Sequence, residues 1–195
     1  MTVRVLGPGD LEVAADVLAS AFFADPMLTA LFPEAGGRAR ASRPLFRAIL
    51  AGDIRRGRVS GVGSPLDGVA VWHLPGDPRR SVRGTLEVAI GQARLLPWAR
   101  ALARAWDLQA GIEQLQKAHG AAGRAHLYFL GVRPEAQGRG LGGALVRPVL
   151  DVQGPAWAET QNPSNVGLYE HLGFEIAGTR EVPSLGLTVF GLRRG

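Results

Sequence analysis

Residues 126–143 limit the possible folds of this chain more than any other part of the sequence. Residues 126–132 are almost continuously apolar, which is typical of a strand buried on both faces. A short turn follows, and four glycines between positions 138 and 143 then open a helix. Glycine lets a ligand approach backbone N–H groups closely, and the helix dipole behind them favours an anion. The pattern therefore predicts an α/β domain with a phosphate-binding turn.

Length and composition fit one globular domain. The chain has 195 residues, of which 46% are hydrophobic and 20% are charged. Its apolar stretches are shorter than the ~18 residues that a membrane-spanning helix needs. The chain contains no cysteine, which excludes disulfides, thiolate nucleophiles and cysteine-ligated zinc. The length and composition predict a single domain over residues 1–195. Because no signal peptide is visible and the chain lacks cysteine, we expect the protein in the cytoplasm.

The formal net charge of +5 comes from arginines that lie singly or in pairs. The sequence lacks the basic run and the interleaved aromatic residues of a nucleic-acid-binding surface. We therefore expect no nucleic-acid or membrane partner. The protein is expected to be a monomer or a homodimer. His73, His119 and His171 have no metal-ligand spacing, so they are predicted to be structural or surface residues and no metal site is expected.

Apolar periodicity and turn residues predict the elements of the N-terminal part. Residues 2–6 alternate like a strand, and a helix capped by Asp10 follows until Pro26 ends or kinks it. A second helix is predicted over residues 41–55, after a break at residues 33–37.

The middle of the chain is predicted as a hairpin followed by a helical segment. Residues 58–74 form two strands with a turn at residues 64–68. Residues 80–118 have a helical pattern that divides near Pro97. One apolar stripe of this segment contains Trp98, Leu102, Ala105 and Trp106.

Two classes of cofactor compete for the glycine-rich turn. Gly138, Gly140 and Gly143 match the dinucleotide fingerprint G-x-G-x-x-G, and Glu159 ends a short predicted strand further on. A dinucleotide fingerprint follows its strand almost directly and opens a multi-stranded parallel domain. Here residues 133–137 intervene and little chain remains downstream. Nicotinamide or flavin binding is therefore the weaker alternative.

Two motifs together carry a resemblance to a known family. The segment Val132-x-Pro134-x-x-Gln137-Gly138-Arg139-Gly140-Leu141-Gly142 resembles the acyl-CoA loop of the GNAT superfamily of N-acetyltransferases. Residues 162–174 resemble the second motif of that family, N-x-x-N-x-x-L-Y-E-x-x-G-F. The resemblance implies a GNAT-like α/β fold, with a mixed, mostly antiparallel sheet of six to seven strands flanked by helices. A helical insertion at about residues 75–124 would separate strands three and four.

The resemblance also implies acetyl-CoA as the acyl-donor cosubstrate. Amides of the glycine-rich turn would hold its pyrophosphate, and the backbone of Leu130 and Val132 would hold its pantetheine arm. The Leu130 amide would polarise the thioester carbonyl. Asn165 would contact the pantetheine or order a water. The implied cofactor-binding residues are Leu130, Val132, Gln137, Gly138, Arg139, Gly140, Leu141, Gly142, Gly143, Asn165 and Tyr169.

Tyr169 and His126 are the predicted proton-transfer groups. Tyr169 matches the general acid of the family, which protonates the departing thiolate of CoA; packing against Phe174 is the alternative role. The acceptor amine must lose a proton before it attacks. His126 stands where several family members carry a Glu or His base, and free histidine titrates near pH ~6.5. A water chain is the alternative to His126.

The expected activity is acetyl transfer from acetyl-CoA to an amine of a small molecule or peptide, by direct attack in a ternary complex. A catalytically inactive acyl-CoA-binding regulatory module is the alternative. The helical insertion could cover the acceptor cleft as a lid. The residues predicted to surround the acceptor are Phe22, Phe23, Asp25, Trp72 and Tyr128.

Overall fold

The computed structural model describes residues 1–77 and 97–195. The predicted helix over residues 80–96 and the side chain of Trp98 lie outside the part that is described. In chain order the elements are β1 (Val3–Val5), α1 (Leu11–Ala21), α2 (Pro26–Leu31), α3 (Ala35–Arg55), β2 (Val59–Val62), β3 (Gly68–His73), α4 (Pro97–His119), β4 (Ala125–Val132), α5 (Leu141–Gln153), β5 (Ala156–Thr160), α6 (Val166–His171), β6 (Glu175–Val182) and β7 (Leu187–Arg194). Within these ranges no helix is both long and apolar enough to cross a membrane.

The strands form one seven-stranded sheet in the order β1-β2-β3-β4-β5-β7-β6. The β4 and β5 strands pair in parallel, and every other neighbouring pair is antiparallel. Helix α4 lies between β3 and β4 in the chain. The prediction of a mixed, mostly antiparallel sheet flanked by helices is therefore confirmed.

Helices cover both faces of the sheet. In β3, Val69 and Val71 face the core formed with α1, α2 and α3, whereas Ala70 and Trp72 face the core formed with α5. This alternation follows from the two-residue period of a strand. Helix α4 packs beside β6 and β7, where its buried leucines contact Trp157. The sheet therefore separates two apolar layers, and β4 and β5 lie in its middle.

Helix α3 begins at Ala35, six residues before the predicted start, and runs through the glycines where a break was expected. Glycine in a helix costs roughly 1 kcal/mol relative to alanine. The buried face that begins at Ala41 and includes Leu45 and Phe46 continues the helix into the core, and this burial outweighs the glycine cost.

Asp10 does not cap α1 through its own side chain. Its carboxylate instead accepts hydrogen bonds from the Gly7 N–H at 2.9 Å and from Arg4 at 2.6 and 2.8 Å. The contact with Arg4, followed by the bond from Gly7, lowers the pKa of Asp10 to about 2. Asp10 therefore ties β1 to the turn before α1, while Asp25 caps α2 by accepting from the Met27 N–H at 2.9 Å.

The expected burial of β4 on both faces is wrong. Along this strand fully buried residues alternate with half-buried ones, which are His126, Tyr128, Leu130 and Val132. Three of these half-buried residues, His126, Tyr128 and Leu130, border a cleft. The sequence pattern does not reveal it, because cleft walls and core both select apolar residues.

Helix α1 lies unusually close to β4 at Gly131. A Cβ there would be 2.7 Å from Leu18 Cδ2 and 3.0 Å from Ala21 Cβ. Because Leu18 is fully buried and cannot swing away, Gly131→Ala should lower the free energy of unfolding by about 1–3 kcal/mol. Chemical denaturation measures the loss. Gly9→Ala is the control, since a Cβ at position 9 would meet no atom within 4 Å beyond its chain neighbours, and equal midpoints for the two variants would contradict the prediction.

Candidate active site

The β4 and β5 strands separate in the middle of the sheet. Their pairing runs from Ala125 opposite Ala156 to Leu127 opposite Ala158, and does not continue beyond that rung. Among the described residues, no strand pairs with the following part of β4 on its β5 side. This opening is the first element of the candidate site.

The backbone groups of Leu130 and Val132 face the opening. Hydrogen-bonded and non-hydrogen-bonded pairs alternate along antiparallel strands. Arg133 donates its N–H to the Asp67 carbonyl at 2.8 Å, which makes that rung a hydrogen-bonded one. The rung that pairs Leu130 with Ala70 is an odd number of rungs from the Arg133 rung, so it is a non-hydrogen-bonded one. The Leu130 N–H and C=O therefore point away from β3. The same argument holds for Val132.

A β-bulge in β4 changes the direction of its side chains beside the opening. The register with β3 shifts between Val71 and Trp72, which lie opposite Phe129 and Leu127, so Tyr128 is the extra residue. Bulges are frequent beside active sites, where they redirect side chains. Both Tyr128 and Phe129 consequently contact the core on the α1 side, whereas Leu130 contacts the core on the α5 side.

The glycine-rich turn lies at the end of β4 and leads into α5. Gly138 and Gly140 have φ values of +73° and +76°, which L side chains rarely adopt. Gly140 is the N-cap of α5 and supplies no side-chain cap. The first N–H groups of a helix have no intrahelical partner, so the amides that follow Gly140 are available to an anion.

Two side chains of the turn are engaged within the protein. Gln137 donates from Nε2 to the Val132 carbonyl at 3.1 Å, which links the turn to β4. Arg139 is 61% exposed and its Nη1 lies 3.7 Å from Asp67 Oδ2. The backbone amides, rather than these side chains, are therefore the groups that the turn leaves available to an anion.

A cleft of about 660 Å³ extends along β4 and β5. Its lining contains many of the residues predicted for the donor and the acceptor, although the turn at residues 137–143 lies outside the lining. The predicted residues that it brings together are Phe22, Asp25, His126, Tyr128, Leu130, Asn165 and Tyr169.

The other predicted acceptor residues lie elsewhere. Trp72 is 3% exposed and packs in the core on the α5 side, so it does not line the cleft. Phe23 is 38% exposed and its ring lies 4.9 Å from the Arg38 guanidinium carbon, outside the cleft lining. Trp106, on the apolar stripe of the predicted helical insertion, is 37% exposed and also lies outside the cleft lining. Trp72 was misplaced because strand alternation alone does not say which face of β3 borders a cavity.

Tyr169 lies on α6 and is held from several sides. It is 7% exposed, and its ring meets the Phe174 ring edge-on at 5.7 Å. Burial, followed by the negative charges of Glu159 and Asp25, raises the pKa of Tyr169 above its usual value. The hydroxyl therefore keeps its proton through the neutral pH range.

The start of α6 is fixed by polar contacts. Asn162 accepts the Ser164 N–H at 3.1 Å through its side chain, and Asn165 donates from Nδ2 to Thr160 Oγ1 at 3.4 Å. Asn165 thus connects the end of β5 to α6, which positions Tyr169 one turn further along.

Glu159 is a site residue that the sequence analysis considered only for the dinucleotide alternative. Its side chain is 8% exposed, and its Oε2 lies 2.6 Å from His126 Nε2. Gln116 and the Trp157 indole also donate to this carboxylate. Burial alone would raise the pKa of Glu159, but His126, Gln116 and Trp157 outweigh that effect and lower it. The available sequence signal was its position at the end of a short predicted strand.

His73, which was expected to be a structural or surface residue, is buried and also lines the cleft. Its ring stacks on Tyr128 with centroids 4.6 Å apart and lies 6.2 Å from the His126 ring. Its Nε2 is 3.4 Å from Asp53 Oδ2, and Asp53 also contacts Arg58. Burial would raise the pKa of Asp53, but His73 and Arg58 outweigh it and lower the pKa.

Asp25 is a half-buried carboxylate of the cleft. Burial raises its pKa, against the bond from the Met27 N–H, which lowers it. No cationic side chain in residues 1–77 and 97–195 lies within ion-pair distance of Asp25. In the same ranges no three His, Cys, Asp or Glu side chains form a possible metal site.

The residues present fit an acyl-CoA. A Cβ at Gly142 would lie 3.8 Å from Leu130 Cδ2 and 3.9 Å from Leu168 Cδ2. The missing side chain therefore leaves a groove between the open edge of β4 and α6. An extended amide-containing arm in this groove would find the Leu130 and Val132 backbone groups, with an anion-facing helix start at one end and Tyr169 at the other.

Solved structures share this fold over nearly the whole chain. The histone acetyltransferase HPA2 and related acetyltransferase from Corynebacterium glutamicum ATCC 13032 superposes with a TM-score of 0.69 at 20% identity, covering 99% of this chain and 94% of that one. The polyamine N-acetyltransferase of Drosophila melanogaster, which forms N-acetylagmatine, gives a TM-score of 0.65 at 17% identity, covering 98% of each chain. The PaiA N-acetyltransferase of Thermoplasma acidophilum in complex with coenzyme A gives 0.60 at 13% identity, covering 99% and 97%.

Sequence comparison agrees with the fold. A family model for the acetyltransferase (GNAT) domain matches residues 97–176. This segment of the chain is therefore similar to a GNAT domain, and the fold of the whole chain is that of GNAT acetyltransferases. Mycothiol acetyltransferase from Rhodococcus opacus (strain B4) is 39% identical over 82 residues, which make up 40% of this chain. Those residues span 26% of the length of that protein. The GNAT-like fold predicted from the two motifs is therefore confirmed. The glycine-rich turn and Tyr169 lie within the matched segment.

Proposed function

We propose that this GNAT protein is an N-acetyltransferase that moves an acetyl group from acetyl-CoA to an amine of a small molecule or peptide in the cytoplasm. The open edge of β4 between the glycine-rich turn and Tyr169 carries the proposal. It offers paired donors and acceptors to an extended amide chain, and the cleft continues from it past His126. The coenzyme A complex of the Thermoplasma relative and the amine acetylation by the Drosophila relative support this assignment.

Backbone groups bind and polarise the acetyl-CoA in this proposal, and side chains transfer the protons. The amides after Gly140 hold the pyrophosphate, and the Leu130 N–H donates to the thioester carbonyl oxygen as negative charge develops there. His126 takes the proton of the acceptor amine, whose nitrogen then forms the new bond to the acetyl carbon. As the carbon–sulfur bond breaks, Tyr169 donates its proton to the thiolate, and the tyrosinate takes up the second proton that the nitrogen loses as it becomes an amide.

The lining of the cleft favours a small amine that is bound as a cation. Phe22, Tyr128 and Phe129 contribute aromatic surface, while Asp25 and Glu159 contribute carboxylates. Asp25 is half-buried and has no cationic partner in residues 1–77 and 97–195, and such a carboxylate favours a positively charged ligand. We place the acceptor between Asp25 and His126.

Turnover of acetyl-CoA with a panel of amines tests the proposal. Release of free thiol that depends on the amine, together with acetylated product by mass spectrometry, is the expected result. Tight binding of acetyl-CoA without thiol release for any amine would favour the inactive acyl-CoA-binding regulatory module instead. Tight binding of a nicotinamide dinucleotide in place of acetyl-CoA would contradict both.

His126→Ala should lower kcat/KM roughly 10- to 100-fold at neutral pH and remove or displace the acid limb of its pH profile. The reason is that the amine then loses the group that accepts its proton. A pH series of initial rates measures the change. His171→Ala is the control, because His171 is exposed on α6 and bonds only to the Gly167 carbonyl within the described chain. His73 is unsuitable, since its ring lies 6.2 Å from that of His126.

An unchanged profile in His126→Ala would assign deprotonation to water or to a carboxylate such as Asp25. The acceptor amine itself titrates, so the comparison uses the same amine for all variants. Only a difference between His126→Ala and His171→Ala counts as evidence for His126.

A further inference from the structure

Three donors from three elements converge on Glu159. His126 on β4, Gln116 on α4 and Trp157 on β5 all bond to its carboxylate. A carboxylate that is buried in this way needs such donors, because burying a charge without hydrogen bonds costs several kcal/mol. The arrangement holds the Glu159 side chain in one position at the cleft end of β5.

The contact determines which nitrogen of His126 carries the proton. An ionised carboxylate only accepts hydrogen bonds. Since His126 Nε2 lies 2.6 Å from Glu159 Oε2, Nε2 must be the protonated nitrogen of neutral His126. The lone pair therefore resides on Nδ1, which is the atom that can take a proton.

We propose that Glu159 is a positioning residue that orients the His126 ring, holds its proton on Nε2 and stabilises the imidazolium formed when Nδ1 accepts a proton from the acceptor amine. This inference rests on the proposed function. The proton moves from the amine nitrogen to Nδ1, while Glu159 keeps its charge and forms an ion pair with the imidazolium. Gln116 and Trp157 keep the carboxylate ionised between turnovers by donating to its other oxygen.

Other groups also influence His126, and the experiment must separate them from Glu159. His73 on β3 lies 6.2 Å away ring to ring, and Tyr128 on β4 lies 5.8 Å away. Charged side chains line the same cleft from the neighbouring segments; they are Asp25, Asp77, Glu113, Lys117 and Arg124. None of them bonds to the His126 ring in the described chain, whereas Glu159 does.

A purely structural role is the competing explanation. His126 lies opposite Trp157 in the last rungs where β4 and β5 pair, so the Glu159 contact could serve only to join these strands. A structural role predicts a loss of stability when Glu159 is changed. It does not predict a particular tautomer of His126 or a shift of its titration.

The first test needs no variant. Nitrogen chemical shifts of His126 in the wild-type protein, from long-range ¹H–¹⁵N correlation spectra, report the tautomer of the neutral ring. We expect protonation on Nε2 and a bare Nδ1. The opposite tautomer, or rapid exchange between the two, would overturn the proposal even if every Glu159 variant failed to fold.

The second test is Glu159→Gln, compared with Glu175→Gln on β6. Without the carboxylate, the titration midpoint of the His126 ring should move to lower pH by about one unit or more. The acid limb of kcat/KM should move in the same direction, and kcat should fall roughly tenfold. Glu175 contacts Arg193 at the surface, so its variant should change neither the midpoint nor kcat.

A double-mutant cycle connects the two residues. In a His126→Gln background, adding Glu159→Gln should change kcat/KM by less than about twofold, because a positioning residue has no effect once its partner is gone. A further loss of tenfold in that background would overturn the proposal.

The outcomes separate this inference from the proposed function. If the tautomer and the titration shift are as expected but no amine is acetylated, the Glu159–His126 pair stands and the acetyltransferase assignment fails. If amines are acetylated but the His126 titration is the same in wild type and Glu159→Gln, the assignment stands and the positioning role fails.

Discussion

Gly142→Val should weaken acetyl-CoA binding at least about 100-fold, which corresponds to about 2.7 kcal/mol. A Cβ at residue 142 would point into the groove between Leu130 and Leu168, at 3.8 and 3.9 Å from their side chains. A valine side chain would fill the space that we assign to the cofactor beside the helix start. Isothermal titration calorimetry with acetyl-CoA measures the loss.

Residue 142 is a better test than residue 140, although a side chain at either position would intrude on the cofactor. Gly140 has a φ of +76°, and a Cβ there would meet no atom within 4 Å beyond its chain neighbours. Valine at position 140 would therefore strain the backbone itself, and a loss of binding would have two explanations. Gly142 has an ordinary helical conformation, so its variant should fold.

Gly36→Val is the matched control for Gly142→Val. Gly36 is the second residue of α3, just as Gly142 is the second residue of α5. Gly36 lies at a helix start to which we assign no ligand. The affinity of Gly36→Val for acetyl-CoA should therefore stay within about twofold of the wild-type affinity. A folded Gly142→Val protein with wild-type affinity would contradict the proposed location of the donor.

Tyr169→Phe should lower kcat roughly 10- to 1000-fold with little change in acetyl-CoA affinity. The phenylalanine ring keeps the edge contact with Phe174, and only the hydroxyl that donates to the departing thiolate is lost. The raised pKa of Tyr169 keeps that hydroxyl protonated at neutral pH, so the proton is present whenever the cosubstrate binds. Steady-state kinetics and calorimetry separate the two effects.

Thermal unfolding decides whether a loss in Tyr169→Phe is catalytic. The melting temperature should stay near that of wild type, because the ring remains in place. Wild-type turnover in a folded Tyr169→Phe protein would leave the tyrosine as a packing residue. A fall in kcat that is matched by unfolding at the assay temperature would not support the acid role.

The sequence was sufficient for the order of most elements and for the glycine-rich turn, although α2 was not predicted as a separate helix. Glycine at positions 138 and 140 follows from local backbone needs, since both positions have positive φ. Tyr169 was found because the second motif, residues 162–174, is a short continuous segment of the chain. The start of α3 was not found, because burial of residues far along the helix outweighed its two glycines.

The site residues that the sequence analysis misplaced all depend on which side of a strand meets which neighbour. Trp72 and His73 are adjacent in β3, yet Trp72 packs in the core and His73 lines the cleft. The β-bulge at Tyr128, which changes the direction of the β4 side chains, arises from pairing with β3. Apolar patterning does not encode that pairing.

By itself, the sequence was enough to predict the GNAT fold, the glycine-rich turn and the tyrosine of the second motif, because the two motifs that carry these predictions are short continuous segments of the chain. Only the tertiary structure brought Glu159 to within 2.6 Å of His126. These residues come from two strands that pair over a few rungs and then separate. Such contacts depend on sheet order and register, which long-range packing sets and short sequence patterns do not contain.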